Sequence, residues 1–304
     1  MKSAIKNIEA SVRGKLQDKA RKTNRPFAEV LQYYGMERFL YRFSQSKFAE
    51  AFILKGALMF TVWDVPQRRT TVDIDFLARF DNQIEKIEQV IKDICAVNAS
   101  ADGLIFDAKT VKGQRIKENA DYEGVRVNFL GFLDKSKIPM QIDIAFGDVI
   151  IPEPSEVDYP TLLDFPAPHL KGYTLESVVA EKFEAMIKLG ILNSRMKDFY
   201  DVWLMTRQFN FEGKNLAAAI KATFGNRETP LPSGKLLFAA GIYVDESVQA
   251  TMWKAFLKKN PINSAPDSFK GVVVAIEKFL GKPVAAITSG KEFSSNWNVP
   301  GPWR

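Results

Sequence analysis

The chain has 304 residues, with 42 Lys+Arg against 36 Asp+Glu, one His and one Cys, for a formal net charge of +6. With His169 as the only imidazole and Cys95 as the only thiol, histidine-rich metal sites, disulfides and Cys₄ zinc clusters are excluded. A Ser–His–Asp or Cys–His mechanism would have to run through His169, which the sequence places in the Pro-rich loop FPAPHLKGY, where an ordinary loop histidine is the simpler reading.

Hydrophobic residues make up 46% of the chain, enough for a substantial core. No apolar run approaches the roughly 18 residues of a membrane span, and the start MKSAIKNIEASVRGK lacks a signal-peptide hydrophobic stretch. With a single Cys, the expectation is a cytoplasmic protein without membrane attachment. Charge is unevenly spread. Residues 1–50 carry 11 basic and 5 acidic side chains, residues 51–200 carry 18 and 23, and residues 201–304 carry 13 and 8. An acidic middle therefore lies between basic ends, which suits a polyanionic partner and equally suits solvated helix faces.

In chain order, IKNIEASVRGKLQDKARK predicts a helix with Ile5, Ile8, Val12 and Leu16 on one face. Pro26 opens a second helix, FAEVLQYYGMERFLYRF, with Gly35 expected to break or bend it. Its aromatics look like packing surface, with Tyr33, Tyr34 and Tyr41 the ones that remain open to base stacking. From residue 51 the texture changes. AFILK leads through Gly56 into a predicted helix, ALMFTVW, and RRTTVDIDFLARF alternates with period two. The run QIEKIEQVIKDICAV is helical, with Ile84, Ile87, Ile91 and Ile94 on one face and Cys95 beside it as a small buried hydrophobe. Three strand-like runs follow: LIFDAKTV, YEGVRVNFLGF and IPMQIDIAFGDVI. A Pro-rich connector without periodicity precedes five predicted helices and a patternless, loosely attached tail.

The expected fold class is α+β. It has a basic helical arm (1–50), an α/β core with a mixed sheet (51–152), a connector (153–172), a helical domain (173–284) and a tail (285–304).

The sharpest local pattern is Val72-Asp73-Ile74-Asp75-Phe76. On a strand, alternate side chains share a face, so the apolar residues point to the core and the two aspartates lie together on the other side. Two like charges so placed repel unless a cation sits between them, and hard divalent ions prefer carboxylate oxygen. If the strand Gln141–Phe146 is adjacent, Asp143 completes a three-carboxylate site of the kind that holds two metals for phosphoryl transfer. A helix N-terminus after Gly56 would offer backbone N–H groups to phosphate. The alternatives are the wet face of an edge strand and a structural strand–helix turn. Further along, Lys197 and Asp201 stand i,i+4 and so share a helix face.

The ordered set LKGALMF, RRTTVDIDF, QIDIAFGD, VVAEKFEAMI and SRMKDFYDVW, over roughly residues 50–208, resembles the AbiEii/AbiGii-type nucleotidyltransferase toxins. These belong to the polymerase-β-like superfamily and act in type IV toxin–antitoxin and abortive-infection systems. The resemblance implies that Gly56 and Ala57 form the first-motif turn, that Arg69 and Thr71 approach the metal strand, and that Asp73, Asp75 and Asp143 bind metal. It further implies roles for Glu181 and Lys182, and for Arg195, Lys197, Asp198 and Asp201. Lys55 and Ala57 depart from the glycine and Gly/Ser common in the wider superfamily, which would leave phosphate to backbone N–H groups and Thr71.

The implied activity is Mg²⁺-dependent (or Mn²⁺-dependent) transfer of a nucleoside monophosphate from an NTP to an acceptor hydroxyl. Catalysis would rest on Asp73, Asp75, Asp143, Lys182 and Asp201, and nucleotide binding on Gly56, Ala57, Arg69, Thr71, Lys182, Lys197 and Asp198. Implied partners are an RNA acceptor such as a tRNA 3′ end and a cognate antitoxin. The alternatives are a transferase acting on a small molecule or protein, and a non-catalytic nucleic-acid-binding module.

Overall fold

The computed structural model describes residues 7–66, 69–99, 102–119, 122–234, 236–260, 262 and 265–304. The predicted helix position Ile5 lies outside the described residues. The chain divides into two compact units. The first comprises Met1–Asp64, Thr71–Gly147 and Ser155–Gly172, and the second Val65–Thr70, Asp148–Pro154 and Tyr173–Arg304.

The first unit begins with α1 (Ile8–Thr23), capped by the Asn7 side chain, which accepts from the Ala10 N–H at 2.9 Å. Helix α2 (Phe27–Ser44) follows Pro26 and continues unbroken through Gly35. A Cβ at Gly35 would stand 2.9 Å from Ile138 Cγ2, so this glycine serves close approach of α2 to the sheet and does not interrupt the helix. The unit then runs through β1 (Phe52–Lys55), the single turn α3 (Met59–Val62), β2 (Asp73–Ala78), α4 (Ile84–Cys95), β3 (Leu104–Asn119), β4 (Tyr122–Leu133), β5 (Ser136–Phe146), β6 (Ser155–Asp158) and β7 (His169–Gly172).

These seven strands form one mixed sheet in the order β3-β4-β5-β2-β1-β7-β6. β2 runs parallel to β5 and antiparallel to β1, and β1 runs parallel to β7. One face is apolar: Ile74, Phe76, Val125, Val127, Phe129, Ile142 and Ile144 are all buried. α4 packs on β3 and β4, and α2 packs on β5 and β7. Of the predicted stripe Ile84, Ile87, Ile91 and Ile94, the last three are buried on α4 and Ile84 is half-buried, and burial pushes the Cys95 thiol up to about 12.

Four expectations change here. The first 50 residues are no separate arm, because α2 belongs to the core of this unit: Tyr34, Met36, Phe39 and Leu40 are completely buried. Tyr33 and Tyr34 are therefore spent on packing and are closed to base stacking. The segment 153–172 is no plain connector, since β6 and β7 extend the sheet at its far edge. Four-residue strands are too short to show a period, so their pairing was invisible in sequence. His169 sits on β7 and not in a loop. It is exposed, with Nδ1 2.8 Å from Asp158, which holds its imidazole above the usual pKa.

Beneath α2 lies a fully buried ionic group. Asp102 receives both Nη atoms of Arg42 at 2.8 and 3.0 Å and Nε of Arg38 at 3.1 Å, while Arg42 also donates to the Leu104 carbonyl. The Tyr34 hydroxyl donates to the Asp102 carbonyl at 2.8 Å. Adjacent Glu37 accepts from the Leu162 N–H at 2.6 Å, and burial pushes its carboxyl up to about 7. One acid thus anchors two guanidinium groups away from water.

The second unit contains α5 (Leu175–Leu189), α6 (Met196–Gln208), β8 (Phe211–Glu212), α7 (Gly213–Asn226), α8 (Val248–Lys259), α9 (Phe269–Thr288) and β9 (Asn296–Trp297). α5 starts at the cap residue Thr174 and α9 at Ser268, each side chain accepting a first-turn N–H. α9 carries Pro283 in its interior. Proline lacks the N–H that would bond the carbonyl four residues back, here Phe279. The Trp303 indole N–H donates to that carbonyl at 2.7 Å, and its ring stacks on Phe279 with centroids 5.5 Å apart.

The tail is consequently anchored, against the expectation of loose attachment. Trp297 and Trp303 are buried, β9 pairs with β8, and Trp297 donates to the Thr206 carbonyl at 2.9 Å. The sequence of the tail has no period because single indole contacts hold it. Trp303→Phe should cost about 1–3 kcal/mol, the range for orphaning a buried acceptor. In a Pro283→Ala background the same change should cost less, and urea titrations of the four proteins would reveal the coupling.

Candidate active site

In the first unit the site is built by register. β2 pairs Asp73 with Gln141 and Asp75 with Asp143 on β5; β1 pairs Lys55 with Asp75; β4 pairs Arg126 with Asp143. Residues directly opposite on neighbouring strands share a face, so a charged row crosses four strands: Arg126, Asp143, Asp75, Lys55. Asp73, Asp75 and Asp143 each bring a carboxylate oxygen within 4.8 Å of the others. The adjacency that the sequence reading required of Asp143 is present.

Gly56 explains how Asp75 fits. Its φ is +71°, a conformation that L side chains rarely adopt, and a Cβ there would lie 1.9 Å from Asp75 Oδ2. The turn after β1 is glycine because the aspartate occupies the space a side chain would need. Gly56→Ala should move the Asp75 carboxylate out of the triad and lower nucleotidyl transfer by at least about a hundredfold, the scale of a misplaced reacting geometry. Steady-state kinetics beside circular dichroism would separate this from unfolding.

The expected phosphate cradle after Gly56 takes a different form. Gly56–Leu58 is a single 3₁₀ turn and α3 has only four residues. So short a helix adds no macrodipole of consequence, and Ala57 is buried. Thr71, expected to meet phosphate, is also buried. Its hydroxyl donates to Asp73 Oδ1, and its N–H donates to the Tyr33 hydroxyl at 3.1 Å. Thr71 thus orients a carboxylate of the triad.

The residues predicted from the helical motifs gather in the second unit. Lys182 on α5, its side chain 15% exposed, lies 2.6 Å from Asp198 and 3.0 Å from Asp201 on α6. Arg69 reaches Asp201 with Nε at 3.3 Å and Nη2 at 3.2 Å. Burial works against charging both partners, yet the balance runs the other way. The two carboxylates hold the Lys182 ammonium above its usual pKa, and Lys182 holds Asp198 below the carboxylate range. The i,i+4 pairing of Lys197 with Asp201 is replaced: Asp201 faces Lys182 and Arg69, and Lys197 is exposed. Helical spacing defines neighbours within α6 only, whereas tertiary packing supplies closer cations.

Sequence reasoning also missed a third group. Arg227 joins Asp148 at 2.7 Å, Glu184 at 2.9 Å and Glu181 at 3.6 Å, so Glu181 and its neighbour Lys182 turn to different partners. Arg126 was missed as well; Val125-Arg126-Val127 reads as an ordinary strand with its polar residue toward solvent.

A mixed sheet presenting three clustered carboxylates on β2 and β5 is the arrangement of a nucleotidyltransferase, and the comparisons agree. Residues 38–275 match the family model for the nucleotidyl transferase AbiEii toxin of type IV toxin–antitoxin systems, and the chain belongs to that family. Two solved structures from Helicobacter pylori are similar to it. JHP933 has 12% identity and a TM-score of 0.42, covering 83% of this chain and 89% of its own. A candidate nucleotidyltransferase has 12% identity and a TM-score of 0.41, covering 83% and 92%. No curated protein matches the chain significantly. Among the described residues, no helix is long and apolar enough to cross a membrane.

Proposed function

We propose that this nucleotidyltransferase toxin moves a nucleoside monophosphate from an NTP to the 3′ hydroxyl of an RNA, with tRNA the favoured acceptor. The observation that carries the reading is the convergence of Asp73, Asp75 and Asp143 within 4.8 Å. Three acidic side chains this close are stable together only with counter-charge, and an all-oxygen donor set fits Mg²⁺ or Mn²⁺. Asp73, Asp75 and Asp143 would hold the metal, which when bound neutralises phosphate charge and polarises the P–O bonds.

The acceptor hydroxyl attacks the α-phosphorus in line with the departing pyrophosphate. One P–O bond forms, one breaks, and the hydroxyl proton passes to the Asp143 carboxylate. Thr71 fixes the carboxylate of Asp73, and Gly56 leaves room for that of Asp75. In the second unit we read Lys182, held in place by Asp198 and Asp201, as a cation for nucleotide phosphate. Alignment and charge stabilisation supply the rate. The excess of basic residues in 1–50 and 201–304 supports a polyanionic acceptor, and the family supports an antitoxin partner.

Incubation with Mg²⁺, each labelled NTP and total tRNA, beside Asp73→Ala, tests this. Label should enter RNA only with the intact protein, and the affinity for RNA should fall steeply with salt. Label entering a protein or a small molecule, with none in RNA, would overturn the RNA acceptor. Label in no acceptor under either metal would overturn the activity itself.

A further inference from the structure

Arg126 holds the Asp143 carboxylate by a two-pronged guanidinium contact. Arg126 Nε donates to Oδ1 at 2.8 Å and Nη2 to Oδ2 at 2.7 Å, a fork that fixes the plane of the carboxylate. The contact is built into the sheet, because Arg126 and Asp143 are opposite each other in the β4–β5 register. Gln141 approaches the same two oxygens only at 3.4 Å, and Asp73 has a neutral hydroxyl donor instead. The Arg126 side chain is 34% exposed against 9% for Asp143, so the guanidinium stands at the rim of the triad.

A guanidinium in that place does two things. It takes one lone pair on each Asp143 oxygen, leaving the rest directed away from β4. It also puts a fixed positive charge beside the position a divalent cation must occupy, and like charges compete for the same carboxylates. Lys55, opposite Asp75 at the other end of the row, adds positive charge of the same kind.

We propose that Arg126 is a positioning residue and a built-in counter-cation of the triad. It orients Asp143 and lowers the affinity of the three carboxylates for a divalent ion, so that tight loading waits for the phosphate oxygens of the nucleotide. This rests on the metal-binding reading above. The loaded site is then assembled with its substrate, and the metal-free site is spared the full repulsion of three adjacent negative charges.

The test is Mn²⁺ binding without nucleotide, read by electron paramagnetic resonance of the free ion, on the intact protein, Arg126→Met, Arg126→Lys and Asp75→Asn. Arg126→Met should bind Mn²⁺ roughly tenfold more tightly, the scale on which groups around a metal site tune affinity, with Arg126→Lys in between. Metal-free Arg126→Met should also melt lower than the intact protein and recover on adding Mn²⁺. A purely structural arginine would show the first fall without the recovery or the tighter binding. Unchanged or weaker Mn²⁺ binding by Arg126→Met, beside binding in the intact protein that Asp75→Asn removes, overturns this inference alone. Failure of both proteins to bind Mn²⁺ in an Asp75-dependent way overturns the metal reading, and this inference with it.

Discussion

Asp75→Asn should lower nucleotidyl transfer by at least about a thousandfold while leaving the metal-free protein folded. The first effect follows from losing a charged ligand at the place where charge stabilisation is concentrated. The second follows from geometry. Asparagine keeps the shape of the side chain, so the space left by Gly56 remains filled. Lost activity in a protein that still folds distinguishes a functional carboxylate from a structural one. Pyrophosphate release and a thermal melt on the same preparation provide the check; activity within about tenfold of the intact protein would remove Asp75 from the site.

Asp102→Ala should do the reverse, costing about 3–5 kcal/mol of stability, because it leaves the buried cations Arg38 and Arg42 without their shared carboxylate. That is a large share of the roughly 5–15 kcal/mol that holds a typical domain together. The side chain of Asp102 is 1% exposed and also accepts the Leu104 N–H at 3.0 Å, so water cannot substitute for it in place. Replacing Arg38 and Arg42 with Met alongside Asp102→Ala should recover part of the loss, since an apolar trio avoids the unpaired charge. Denaturant titrations of the single and triple variants measure both; a loss below about 1 kcal/mol for the single change would show that the group relaxes into solvent.

Much of the site was legible because its chemistry is local. Asp73 and Asp75 share a face by strand alternation alone, and the apolar residues between them mark which face is core. The pairing of Asp143 with Asp75 was legible only as a condition, since nothing in the order of the chain states that β5 lies beside β2. Lys182, Asp198 and Asp201 were identified from linked motifs on two helices. Their actual contacts come from packing of α5 against α6, and the entry of Arg69 from a segment over a hundred residues away.

Other elements went astray where a long-range contact overrode a local signal. Gly35 reads as a helix breaker, yet α2 needs it to approach Ile138. Pro283 stands inside α9, where Trp303 satisfies the carbonyl it frees. The tail was illegible for the same reason, because two indole N–H bonds carry no periodicity.

The sequence by itself determined the chemistry available to this protein. One His and one Cys leave carboxylates and a few cations as its reactive groups, and period-two alternation puts Asp73 and Asp75 on the polar side of a strand. Only the tertiary structure decided which charges meet: Arg126 with Asp143, Lys182 and Arg69 with Asp201, Arg38 and Arg42 with Asp102. The physical reason is range. Side-chain alternation is set within a few residues, whereas a charge pair is fixed by the register and packing of separate elements, where desolvation leaves each buried ion dependent on the partner the fold brings to it.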